Sequence, residues 1–410
     1  MNICTEAYKK YSYLVHAVLL GLAGYIVYFL TQPRQHDYFN YFSHLADAFL
    51  HGRLYLTDPP STFEELIAVG NKYFEIYPPM PAILLMPFVA VLGVSFDHVL
   101  VSFFVGGFNL AVVYLIMRKL TEDEEMRIWM TVLFGFGTIH WYLATVGSVW
   151  YFAQIVATAF LLCAVLVTFT IRKPLLIGLL VGAAYWSRLP TLLSLPFFVI
   201  MLSDIWLLPK NGAGILKRVR LSPLLLLGAG VGIFVLLNFL YNYLRFGSVF
   251  DVAYVKQSIY PAKENISPWF NKGLFDLSYI PYHLRVLFLE PPVFMNTWPY
   301  VIPSKIGLSI LITTPAFIFA LFAGIRNKLS LACWSAILTT AFLIFIKSGT
   351  GWTQFGYRYA LDFYPFLLLL TLRGIGRELK WYHKALIIAG VLVNLWGVLF
   401  INKFEWFKAY

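Results

Sequence analysis

VWYFAQIVATAFLLCAVLVTFTI, residues 149–171, runs without a charge and is followed at once by Arg172 and Lys173. About 20 apolar residues in helical conformation cross the hydrocarbon core of a bilayer. The same grammar, an apolar run closed by basic residues, recurs in both directions from this stretch. It predicts about eleven spans: 12–31, 97–117, 127–143, 149–171, 174–189, 190–208, 221–244, 304–325, 329–347, 357–373 and 384–402. The chain is 60% hydrophobic and 12% charged, whereas a soluble domain carries about a quarter charged residues. The expected fold class is therefore an all-α polytopic membrane protein. It forms a single integral-membrane domain over residues 1–410, with no separate soluble domain.

Basic residues give the orientation. With the N-terminus cytoplasmic, 17 of the 31 Lys and Arg fall in inside segments, nearly all in short turns. That bias follows the positive-inside rule. It places a first outer loop at about 32–96, a second at about 245–303, and the C-terminus outside. Met80 to Gly93 is apolar but short and interrupted by Pro81 and Pro87, so it reads as interfacial. The net charge of +11 belongs to span ends, not to one patch, which argues against nucleic acid as a partner. The cysteines Cys4, Cys163 and Cys333 have no metal or disulfide spacing.

In the first outer loop, Tyr38, Phe42, Leu45 and Phe49 fall on one face of a helix over residues 38–51, with Gly52 as its stop. Such an interfacial helix lies along the membrane with its apolar face toward lipid or the bundle. Asp37 stands at its start, as an N-cap or as a general base or metal ligand acting on an acceptor hydroxyl. His36 would tune Asp37 or share a metal with it, and Arg34 snorkels. Glu75, before Tyr77-Pro78-Pro79, reads as a solvated loop acid or as part of the site. In the second loop Arg285 is one of several basic residues suited to lipid headgroups.

Charges at membrane depth are costly and mark functional hypotheses. Arg188, in Tyr185-Trp186-Ser187-Arg188-Leu189-Pro190, has no acidic residue within a helical turn. Arg358 and Asp362 stand at i,i+4 at the outer start of a span. They either neutralise each other on one helix face or hold a phosphate, with Asp362 orienting Arg358 and Tyr359 beside them. His140 reads as an interfacial residue or as part of the site lining. All these positions map to the predicted outer face.

The arrangement resembles the GT-C superfamily of integral-membrane glycosyltransferases, which includes protein mannosyltransferases and aminoarabinose transferases. The likeness rests on Asp37 after the first span and on a juxtamembrane helix followed by Pro78-Pro79. It also rests on Arg188-Leu189-Pro190 and on Phe355-Gly356-Tyr357-Arg358-Tyr359 leading into a span with Pro365. Asn242 through Gly247 is similar to a family feature before a large second loop. The chain departs from many members, which have Asp-Glu where it has Asp37-Tyr38, and it lacks the Trp-Trp-Asp signature of oligosaccharyltransferases.

The resemblance implies transfer of a single sugar from a polyprenyl-phosphate donor to a hydroxyl of a lipid, glycan or protein on the extracytoplasmic face. Asp37 is then the base, and Arg188 and Arg358 face the donor phosphate. No organic cofactor is expected, and a divalent metal is left open. The rival reading is a secondary transporter or lipid flippase that uses the outward charged cavity as a substrate path.

Overall fold

The computed structural model describes residues 2–33, 39–57, 66–207, 219–250, 252–253, 272–351 and 354–404. In chain order its helices are α1 (Asn2–Leu30), α2 (Tyr41–Leu50), α3 (Met80–Leu92), α4 (Val99–Leu120), α5 (Glu124–Phe136), α6 (His140–Val146), α7 (Val149–Phe169) and α8 (Pro174–Tyr185). There follow α9 (Leu195–Met201), α10 (Ser203–Trp206), α11 (Leu221–Phe246), α12 (Ile280–Leu289), α13 (Ile310–Thr313), α14 (Lys328–Ile346), α15 (Tyr364–Ile375) and α16 (Trp381–Phe404). Two small antiparallel hairpins, β1 (Leu66–Val69) with β2 (Lys72–Glu75) and β3 (Val293–Phe294) with β4 (Val301–Ile302), decorate the loops.

The protein is an all-α, multi-span membrane-type bundle. Six helices among the described residues are long and apolar enough to cross a bilayer: Tyr11–Leu30 within α1, then α4, α7, α11, α14 and α16. They match six of the expected spans. The other five expected spans are short or interrupted. The stretch 174–189 yields only the 12 residues of α8. Residues 127–143 divide between α5 and α6, where the Thr138 hydroxyl donates to the Phe134 carbonyl and accepts from the His140 amide. Such side-chain bonds satisfy the backbone groups that a break releases inside a membrane protein. Pro190, Pro315 and Pro365 open 3-10 or α segments in the remaining three, because proline lacks the amide that would continue a preceding helix.

Burial separates the helices into a centre and a rim. In the most apolar stretches of α4 and α7, 72% of residues are buried, against 17% in α1 and 22% in α11. Leu14, Val18, Leu22 and Ile26 of α1 and Leu225, Leu236 and Leu240 of α11 are exposed. An apolar surface this continuous suits hydrocarbon, not water.

Without a strong hydrophobic drive between helices in lipid, close backbone approach carries the packing. Helices α8 and α11 cross where a Cβ on Gly178 would collide with the Leu227 carbonyl and one on Gly230 with the Leu175 carbonyl. A Cβ on Gly107 of α4 would strike the Gly21 carbonyl of α1 in the same way.

The first-loop helix begins at Tyr41, not at Tyr38, and its N-cap is Asn40, whose side chain makes no capping bond. Asp37 and Tyr38 lie outside the described residues. The apolar face of α2 is turned into the protein: Phe42 and Leu45 are fully buried, and Phe42 contacts the rings of Tyr77 and Phe152.

Gly228 faces open space on the same helix as Gly230. Gly230→Leu is expected to destabilise the detergent-solubilised protein by about 1–3 kcal/mol through overpacking, whereas Gly228→Leu leaves the melting temperature nearly unchanged. Equal melting temperatures for the two variants would contradict the α8–α11 crossing.

Candidate functional site: a cation cluster at one end of the bundle

The charged side chains gather at two opposite ends. At one end Lys384, opening α16, pairs with Glu125 in the first turn of α5, and His16 of α1 bonds Glu124 at 2.9 Å. Asp204 there accepts from both Arg172 (2.7 Å) and Lys328 (2.8 Å). At the other end α1 and α16 finish together: Asn402 donates to the Thr31 carbonyl at 2.8 Å. This second end holds the residues of interest.

Arg188 follows α8 in extended conformation and caps the 3-10 turn Leu189–Ser194. Its guanidinium donates to both oxygens of Asp362, Nη2 to Oδ2 at 2.8 Å and Nε to Oδ1 at 3.3 Å. The Asp362 side chain is 1% exposed and that of Arg188 17%. Of the two readings of Arg358 and Asp362, mutual neutralisation fails, because Asp362 pairs with Arg188 instead. Residues Arg358–Phe363 form a 3-10 helix. At three residues per turn, positions i and i+4 stand about 120° apart instead of facing one another. Arg188 has its acid after all, 174 positions away.

Arg358 is buried, and its Nε has no hydrogen-bond acceptor among the described residues. Its guanidinium carbon sits 5.3 Å from the Tyr151 ring centre and 5.2 Å from that of Tyr359. Its carbonyl accepts from Gln154 Nε2 at 2.8 Å, which ties the turn to the central helix α7. Tyr359 is ringed by two more cations, Arg188 at 5.3 Å and Lys347 at 5.7 Å. Lys347 is the residue that ends α14. Three cations thus surround one tyrosine with a single carboxylate, Asp362, in contact among the described residues.

Helix α12 of the second loop braces this arrangement. His283 Nε2 contacts the Lys347 carbonyl at 2.8 Å, and Nδ1 contacts the Tyr357 hydroxyl at 2.6 Å. A carbonyl can only accept, so Nε2 carries the proton and Nδ1 accepts from Tyr357. Burial pushes the His283 pKa down to about 4, and the positive charge of Lys347 acts in the same direction; the bond to the Lys347 carbonyl opposes them. The ring is neutral at physiological pH.

The other expected site residues lie elsewhere or outside the described residues. Arg285, two positions after His283, points away from it because two helical residues are about 200° apart; it is exposed and pairs with Glu290 at 3.6 Å. Glu75 is fully buried, which overturns its reading as a solvated acid. Its Oε1 accepts from the Tyr77 amide at 3.3 Å, and its carbonyl accepts from Arg245 at the end of α11 at 2.5 Å. His140 is fully buried, held between Tyr28 (3.2 Å) and Asn109 (3.1 Å). Arg34, His36 and Asp37 fall outside the described residues. The neighbouring Phe39 is anchored, its carbonyl accepting from Val149 at the start of α7 at 3.2 Å and its ring 4.6 Å from that of Trp150.

Lys347 and His283 escaped the sequence reading. Lys347 was legible as a basic residue closing a span on the face predicted to be outer, against the charge bias. His283 had no local signal, because its partners lie 64 and 74 positions away. Among the described residues no group of three or more His, Cys, Asp or Glu could hold a metal ion. The chain matches no protein-family model, no curated protein and no solved structure.

Asp362→Asn leaves the largely buried Arg188 without its counter-charge and is expected to cost about 3 kcal/mol, read as a lowered unfolding midpoint; an unchanged midpoint would refute the pair. For His283, an unfolded imidazole titrates near 6.5 and the folded one near 4. The unfolded chain therefore binds the extra proton between these values, and stability falls as pH drops from about 6.5 toward 4. His283→Gln should flatten that part of the melting-temperature profile; the same slope in both proteins would rule His283 out as its source.

Proposed function

We propose that the protein is a GT-C-type glycosyltransferase that moves one sugar from a polyprenyl-phosphate donor to a hydroxyl acceptor on the extracytoplasmic face. The observation that carries this reading is the cluster of Arg188, Lys347 and Arg358 around Tyr359, which holds more positive charge than Asp362 neutralises. A concentrated cation site at one end of a membrane bundle suits a phosphate on a lipid anchor.

The topology proposed with it has eleven crossings, six as long helices and five as α8 and the interrupted segments. Alternation of the chain between the two ends supports this count. The end bearing Arg172, Lys328 and Lys384 is proposed to be cytoplasmic, in line with the positive-inside rule.

In the proposed reaction Asp37 takes the proton of the acceptor hydroxyl. The acceptor oxygen attacks the anomeric carbon, and the bond from that carbon to the phosphate oxygen breaks. Polyprenyl phosphate leaves with the bonding electrons, so its charge grows from one negative to two. Arg358 and Lys347 stabilise that growth, an electrostatic role that is commonly the largest catalytic contribution.

Purified protein is expected to transfer label from one of a panel of polyprenyl-phosphate sugars to a crude lipid or glycan fraction. Asp37→Asn, which keeps the size and polarity of the side chain, should lower the rate by about 10²–10⁴-fold, the usual worth of a general base. Wild-type turnover in that variant would remove Asp37 from its role. Uptake into proteoliposomes with no covalent product would replace the transferase reading with the transporter one.

A further inference from the structure

We propose that the cation cluster selects a phosphomonoester dianion over a phosphodiester monoanion, and that Lys347 makes the distinction. The inference deepens the anion-binding half of the function proposed above and rests on it.

The argument is one of charge. The Arg188 fork is occupied by Asp362, so that pair contributes no net charge. Lys347 and Arg358 take part in no ion pair among the described residues. Among the described residues the Lys347 ammonium donates only to the carbonyl of its neighbour Ser348, at 3.2 Å. The Nε of Arg358 is buried without an acceptor. Among the described residues, two cations with no carboxylate partner therefore flank Tyr359, at 5.2 and 5.7 Å from its ring centre.

A phosphodiester brings one negative charge and leaves one of these cations unmatched in a partly desolvated site. A phosphomonoester, whose second ionisation lies near pH 6, brings two at pH 8 and matches both. At a separation of about 5 Å and an effective dielectric constant of about 20, an additional charge pair is worth more than a factor of ten in affinity.

The two cations also differ in kind. Arg358 is the buried one, its backbone held by the Gln154 bond to its carbonyl and its guanidinium flanked by two tyrosines. Lys347 is half-buried at the end of α14, with a compact ammonium on a flexible stem. Arg358 is suited to the charge that both esters share, and Lys347 to the second. For a sugar transfer from a lipid phosphodiester, this site would bind the departing lipid phosphate more tightly than the donor. That is the differential binding that favours a transition state in which the second charge is developing.

The test uses the purified full-length protein in neutral detergent at pH 8 with three probes: farnesyl phosphate, farnesyl methyl phosphate and farnesol. Wild type is expected to bind farnesyl phosphate at least tenfold more tightly than the diester, and farnesol more weakly than either. Lys347→Met should bring the two esters to within about threefold of each other, while Lys347→Arg keeps the preference. Melting temperatures of the ligand-free variants establish that both are folded. Equal affinity of wild type for the two esters overturns the inference, as does an undiminished preference in Lys347→Met or no binding of either ester. The preference and the sugar-transfer assay are read separately. Transfer without the preference sinks this inference alone, and the preference without transfer sinks the transferase reading alone.

Discussion

The bidentate pair between Arg188 and Asp362 is the interaction on which this end of the protein depends. It joins the turn after α8 to the 3-10 turn before α15, two segments 174 positions apart in the chain. Both are places where a membrane helix is interrupted and backbone groups lose their partners. A fork-to-carboxylate contact in low dielectric fixes distance and orientation at once. With Asp362 committed to Arg188, Arg358 is left to face Tyr151 and Tyr359 without a carboxylate of its own.

The surplus of positive charge is held up by neutral chemistry. The Gln154 amide grips the Arg358 carbonyl, and a neutral His283 grips the Lys347 carbonyl and the Tyr357 hydroxyl. None of these bonds offsets the charge of the cations; they only restrict where the side chains start from. The opposite end is built differently, since Asp204 and Glu125 there answer Arg172, Lys328 and Lys384 directly. At that end these acids meet cations directly, whereas among the described residues Arg358 and Lys347 have no carboxylate in contact.

Legibility from the sequence tracked the range of the interaction. The long apolar runs that became α4, α7, α11, α14 and α16 were readable because each satisfies its own backbone bonds within one continuous segment. The interrupted segments were not, because Thr138 and the prolines act through local geometry that an apolar count overlooks. Arg188, Arg358, Tyr359 and Asp362 were legible as charges and rings near membrane depth, while the carboxylate's partner, Arg188, was not. The i,i+4 rule holds for an α-helix and fails for the 3-10 turn that formed. Arg285 was grouped with them by composition alone, and the helix that carries it presents His283 instead.

By itself the sequence determined that this chain is a multi-span, all-α membrane protein, and that several ionisable residues sit where lipid makes them costly. Both follow from solvation, which each residue experiences whatever its partners. Only the tertiary structure decided which acid meets which base, that Glu75 and His140 are buried, and that Lys347 joins Arg188 and Arg358 around Tyr359. Those outcomes depend on distances between segments brought together by the fold, and Coulomb and hydrogen-bond energies follow distance in space and not position along the chain.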